Sequence, residues 1–203
     1  MSQKAFTLIE LVFIIVITGI LAAAVIPRVE RDLLYEAAEQ LLGHIKYTQH
    51  LALVDDVYRD DDETWYQAMW RISFRDCTDG GKYYIVFSDK DGEGEADYNE
   101  RAREPLTRKQ LYVFNDCHGG SDYYGDVVLS AKYGISNIVL SGGCYGTNKY
   151  VAFDTLGRPH YDLTAPLHLV KTPCHITLVG SDGNATITIE PETGYARITS
   201  ITL

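Results

Sequence analysis

The chain has 203 residues, 46% hydrophobic and 23% charged, a mixture that folds into a domain of ordinary size and does not suit a disordered protein. Its formal net charge of −10 argues against a broad electropositive face, because non-specific nucleic-acid binding rests on clustered Lys and Arg. No nucleic-acid partner is expected, and the local basic group Arg101, Arg103, Arg108 and Lys109 is small.

The first element is an apolar run from Phe6 to Ile26. It supplies the roughly 20 residues that a helix needs to cross a bilayer's hydrocarbon core, so residues 6–26 are predicted to span a membrane. One ionisable residue, Glu10, lies near its start. A carboxylate in such a helix costs on the order of 3 kcal/mol and is expected to meet a partner charge. The α-amino group of Phe6 becomes that partner if the chain is cut after Ala5. Met1 to Ala5 is then a short leader carrying Lys4 on the cytoplasmic side. Two plainer readings compete: a secretory signal cut near Ala22, Ala23 and Ala24, and an uncleaved anchor. A signal's apolar region is shorter and accommodates Glu10 poorly, and neither reading explains the leader, Phe6 and Glu10 together.

Ala5, Phe6, Thr7, Leu8, Ile9, Glu10 and Leu11 resemble the cleavage and methylation signal of type IV prepilins and type II secretion pseudopilins. Gly19 and Pro27 fall where those families commonly place a glycine and a helix-loosening proline, while Ala5 stands where they usually have Gly. The resemblance implies removal of the leader by prepilin peptidase and methylation at Phe6. It further implies assembly with other pilin or pseudopilin subunits, Glu10 pairing with a neighbour's N-terminus, and an assembly platform and motor to supply force. The implied location is the inner membrane, single-pass, with the domain in the periplasm until it joins an extracytoplasmic filament.

After Pro27, Leu34, Ala38, Leu41, Ile45 and Ala52 recur at three- and four-residue steps, so residues 27–57 are predicted to continue the helix with one packing face. A helix over 6–57 is about 75 Å long, and its second half projects beyond any membrane. Gly43 within it is expected to mark close packing. The acidic run Asp55, Asp56 and Asp60 to Glu63 reads as a solvated loop.

Residues 64–203 are predicted to form a β-rich domain, with strands at Met69 to Phe74, Lys82 to Phe87, Leu111 to Asn115, Val127 to Leu129, Tyr150 to Phe153, His175 to Val179, Ala185 to Ile189 and Ala196 to Ile201. The last two flank a turn at Pro191 to Gly194, a hairpin signature. Helix first and antiparallel sheet after gives an α+β fold. The family resemblance implies a ladle with the long helix packed on the sheet. YVAFDTLGRP and the TGYARI hairpin look similar to H-type minor pseudopilins, and with the large domain they favour a minor subunit.

Within the domain, DKDGEGEADYNE runs from Asp89 to Glu100 with oxygen ligands at alternate places, Gly94 at the sixth and Glu100 at the twelfth. That is the spacing of an EF-hand calcium loop. The candidate ligands are Asp89, Asp91, Glu93, Glu95, Asp97 and Glu100, with calcium as the expected ion. Glu93 departs from the usual Asp or Asn, and a strand leads in where a helix is usual. The alternative is an acidic hairpin tip that binds nothing.

Cys77, Cys117, Cys144 and Cys174 lie in the part expected outside the membrane, where disulfides form. If the first three domain strands form a meander, Cys77 and Cys117 end at one edge, which favours that pair and leaves Cys144 with Cys174. A zinc site at Cys117-His118 and Cys174-His175 is the rival, though adjacent strand residues point to opposite faces. No G-x-S-x-G elbow, H-E-x-x-H helix or phosphate loop occurs, so no enzymatic activity is expected. Two function classes remain: a filament subunit, and a membrane-anchored calcium-binding or enzymatic domain that acts alone.

Overall fold

A computed structural model describes residues 8–146, 149–166 and 168–203, the side chains of 23–32 excepted. The expected leader and the expected cut between Ala5 and Phe6 lie outside the described residues, as does the side chain of Pro27. The expected anchor is described only in part, with side chains from Leu8 to Ala22. Among the described residues no helix is long and apolar enough to cross a membrane.

Helix α1 runs Leu8–Val54. Its second half obeys the sequence periodicity: Leu34, Ala38, Leu41, Ile45 and Ala52 are all buried, joined by Ala37, Leu42 and Thr48. Gly43 is on the opposite, exposed face with open space around it, so it does not mark close packing. The helix ends as Asp55 donates its N–H to the carbonyl of Leu51 (2.9 Å), and the acidic run follows as an exposed to half-buried loop.

Eight strands follow: β1 (Trp70–Asp76), β2 (Lys82–Phe87), β3 (Asn137–Gly142), β4 (Tyr150–Phe153), β5 (Pro159–His160), β6 (Cys174–Val179), β7 (Asn184–Ile189) and β8 (Ala196–Thr202). They form two four-stranded sheets of order β2-β1-β4-β5 and β3-β6-β7-β8, with every named pair antiparallel. α1 packs on both sheets through β1 and β4 on one side and β7 and β8 on the other. The buried side chains of α1, β1, β2, β6 and β7 consequently join in one apolar core.

Several elements differ from the sequence expectation. Residues 111–115 make no strand. Leu111 is buried and held by single bonds, its N–H to Ala102 O (2.8 Å) and its carbonyl from Val86 N (3.0 Å). Residues 127–129 lie where a 3-10 turn, Gly125–Val127, meets a short helix α2 (Leu129–Tyr133). Gly134 closes α2 at φ 68°, a left-handed conformation in which glycine avoids steric cost. β3 has a largely exposed edge-strand pattern and owes its form to full-length pairing with β6.

The helix is fixed to the sheets by polar contacts as well. Gln40 Nε2 donates to the Tyr84 hydroxyl (3.0 Å) and to Asp126 O (2.9 Å), and Tyr133 donates to Gln40 Oε1 (2.5 Å). His44 Nδ1 lies 2.6 Å from the Tyr84 hydroxyl. One turn further, Gln49 Nε2 donates to the carbonyls of Gly157 (2.8 Å) and Thr193 (2.9 Å), so a single amide grips the β4–β5 and β7–β8 turns together. Those are the LGRP and TGY turns of the C-terminal stretch. Disulfides join Cys77 to Cys117 (Cα–Cα 5.5 Å) and Cys144 to Cys174 (4.9 Å). The meander invoked for the first pair is absent, since 111–115 is not a strand. Both bonds also take the thiols away from the zinc alternative.

Candidate functional site

Two regions carry the chemistry singled out in the sequence. The first is the start of α1. From Leu8 to Ala22 every side chain is exposed, including Leu8 (81%), Ile9 (75%), Phe13 (67%) and Ile20 (65%). Glu10 is exposed in the first turn, and Gly19 has open space around it. An exposed apolar surface this continuous requires a cover, because monomeric proteins in water rarely leave one.

The second is the loop from Asp89 to Glu100. Its base is pinned by the sheet: Ser88 N donates to Glu100 O (3.0 Å), and Phe87 bridges Arg101 in antiparallel fashion. This closure sets the first and last positions of the loop side by side, and both acids are buried, Asp89 4% and Glu100 3% exposed. Gly94 turns the chain at φ 83° and donates its N–H to Asp89 Oδ2 (3.0 Å). Glu100 accepts from Lys90 N at Oε1 (2.6 Å) and from Asp97 N at Oε2 (3.0 Å). Asp91 is exposed and accepts from Glu93 N (3.1 Å).

Asp89, Asp91 and Glu100 each offer a carboxylate oxygen within 4.8 Å of the others. The other three sequence candidates stand apart. Glu93, Glu95 and Asp97 are exposed, and Glu95 lies 3.6 Å from Arg75. Asp97 serves the loop with its backbone, through the bond to Glu100.

A participant that sequence reasoning missed is Arg71 on β1. Its guanidinium is 2.9 Å from Asp89 Oδ2 and stacks over the Phe87 ring, 4.6 Å from the centroid. Burial holds its pKa below the usual arginine value, with Asp89 opposing that shift. The only available signal was an arginine in an otherwise buried strand, WRISF, which demands a counter-charge but does not say which. The pairing is incomplete: among the described residues, Asp89 Oδ1 and Arg71 Nε are both buried without a hydrogen-bond partner.

With this geometry in view, known proteins add one point. Residues 1–26 match the prokaryotic N-terminal methylation motif. The match supports a relationship to type IV pilins and pseudopilins and suggests a pilin-like substrate of prepilin peptidase. The methylation motif is consistent with a membrane-anchored extracytoplasmic protein that meets other pilin or pseudopilin subunits. No curated protein and no solved structure matches the chain.

Proposed function

We propose that the chain is a minor subunit of a type II secretion pseudopilus or type IV pilus, built into the filament through α1. The observation that carries this reading is the coincidence of the methylation motif with the exposed apolar surface from Leu8 to Leu21. The inner membrane covers that surface before assembly, with the domain in the periplasm, and the helices of neighbouring subunits cover it afterwards. Glu10 receives the methylated amine of a neighbour's Phe6, a charge pairing that repays burial of a carboxylate among apolar helices. The assignment to a minor subunit follows from the size of the domain and from the resemblance of its LGRP and TGY turns to H-type pseudopilins. Those are the turns that Gln49 draws together. An assembly platform and motor extract the subunit from the membrane.

The test is intact-mass and N-terminal peptide measurement on protein from membranes of cells with and without prepilin peptidase. A chain beginning at N-methylated Phe6 only in peptidase-positive cells is expected. A chain beginning after Ala24, or at Met1 in both, overturns the proposal. Glu10→Ala is expected to leave membrane insertion intact and abolish filament incorporation, and normal incorporation would refute the role given to the carboxylate.

A further inference from the structure

We propose that Asp89, Asp91 and Glu100 hold one hard divalent cation, calcium in preference to magnesium. The site does not depend on the subunit reading. Three carboxylate oxygens converge within 4.8 Å, and two of the three acids are buried, an arrangement whose mutual repulsion calls for positive charge. Arg71 supplies only part of it. Its guanidinium engages Asp89 Oδ2, the oxygen that also accepts from Gly94, and leaves Oδ1 buried with no hydrogen bond. A buried carboxylate oxygen without a donor is costly, and a cation bound by Asp89 would relieve that cost.

The donors on offer are all hard oxygens, which excludes soft-metal preference and suits calcium or magnesium. Magnesium demands near-ideal octahedral geometry and sheds water reluctantly, whereas calcium accepts irregular oxygen shells. Here the carboxylates of Asp89 and Glu100 are already constrained by backbone N–H donors, an irregular shell that suits calcium better. Arg71 lowers the affinity, because its charge sits against the same carboxylate that takes the ion. The expected dissociation constant is therefore of the extracellular class, about 10⁻⁴ to 10⁻³ M.

The bound ion would also tie the loop to the end of α1. Lys90, whose N–H serves Glu100, places its Nζ 3.3 Å from Asp55, and Trp70 Nε1 donates to the same Asp55 carboxylate (2.9 Å). Loading the loop then stiffens the junction between helix and sheet.

The experiment is calorimetric titration of calcium into the chelator-treated full-length chain in detergent, with magnesium in parallel. One calcium per chain is expected, with magnesium binding at least tenfold weaker. Asp91→Ala is the deciding variant. Asp91 is exposed and is held only by the loop's own Glu93 N–H, so its change leaves the fold intact while weakening calcium binding at least tenfold. Glu100→Gln is expected to do the same. Absence of binding up to about 10 mM calcium, ten times the weakest constant of that class, overturns the proposal. So does unchanged affinity in Asp91→Ala, whether or not Glu100→Gln folds. None of these results depends on leader cleavage, so the cation site and the filament role fail separately.

Discussion

The two halves of α1 are continuous in backbone and opposite in surroundings. From Leu34 to Ala52 the apolar residues occupy one face and are buried against two sheets, while Gly43 and other residues on the outer face meet solvent. From Leu8 to Leu21 apolar residues cover the helix on all sides and all are exposed. A helix apolar all round has no solvated face to choose, so it is built for lipid or for other helices; one with a stripe is built for its own domain. The burial pattern thus divides the helix into a part that packs on its own domain and a part whose apolar surface is left exposed.

Mutation sharpens that division. Leu41→Ala, at a fully buried position, is expected to cost about 3 kcal/mol by creating a cavity between the sheets, whereas Ile14→Ala is expected to stay within about 0.5 kcal/mol. Denaturant unfolding of the two full-length variants in detergent measures both, and similar losses would erase the distinction.

A pH titration probes the packed half through His44. Burial lowers its pKa from 6.5 to about 4, against the raising influence of Glu104 and Asp126, so the imidazole is neutral at pH 7 and shares a hydrogen bond with the Tyr84 hydroxyl. Above pH 6.5 it is neutral folded or unfolded and does not affect stability. As pH falls from 6.5 to 4 the unfolded chain takes up a proton that the folded chain refuses. The expected loss over that window is about 3 kcal/mol. His44→Gln is expected to flatten the acid limb of stability against pH, and an unchanged limb would place the titration elsewhere.

The smaller effects come from two glycines at opposite ends of this logic. At Gly194, φ is 64° and an added Cβ would lie 2.3 Å from Gly157 O and 2.4 Å from Gln49 Nε2. Gly194→Ala is expected to cost about 2 kcal/mol by pushing apart the two turns that Gln49 grips. Gly43→Ala, on the open face, is expected to gain up to about 1 kcal/mol of helix propensity. Thermal unfolding of both variants checks the signs; a stabilising Gly194→Ala would show that the turns are not tightly seated.

Much of the domain was legible because its signals are local. β1, β2, β4, β6, β7 and β8 lie close to the predicted strands, since alternating β-branched and aromatic residues bounded by Gly-rich turns act over a few positions. The Pro191 to Gly194 turn joins β7 to β8 for the same reason. β3 was missed because its partner, β6, is some thirty residues away, and an exposed edge strand carries little pattern of its own. The strand expected at Leu111 to Asn115 failed conversely: Leu111 and Val113 are buried and Phe114 is exposed, but among the described residues only isolated bridges form beside them. In the acidic loop, spacing marked the region but not which carboxylates meet. Six candidates were read from the sequence and three converge, while Glu93, Glu95 and Asp97 are exposed and Glu95 lies 3.6 Å from Arg75.

By itself the sequence determined the methylation motif, the two characters of the long helix and the position of the calcium-like loop, because each is written in neighbouring residues or in a fixed period. Only the tertiary structure decided that the strands divide into two sheets with α1 packed on both, that Gln49 joins the two C-terminal turns, and that Arg71 leaves one oxygen of Asp89 unsatisfied. Those outcomes depend on residues far apart in the chain. Burial and charge compensation operate on spatial neighbours, and the linear order does not name them.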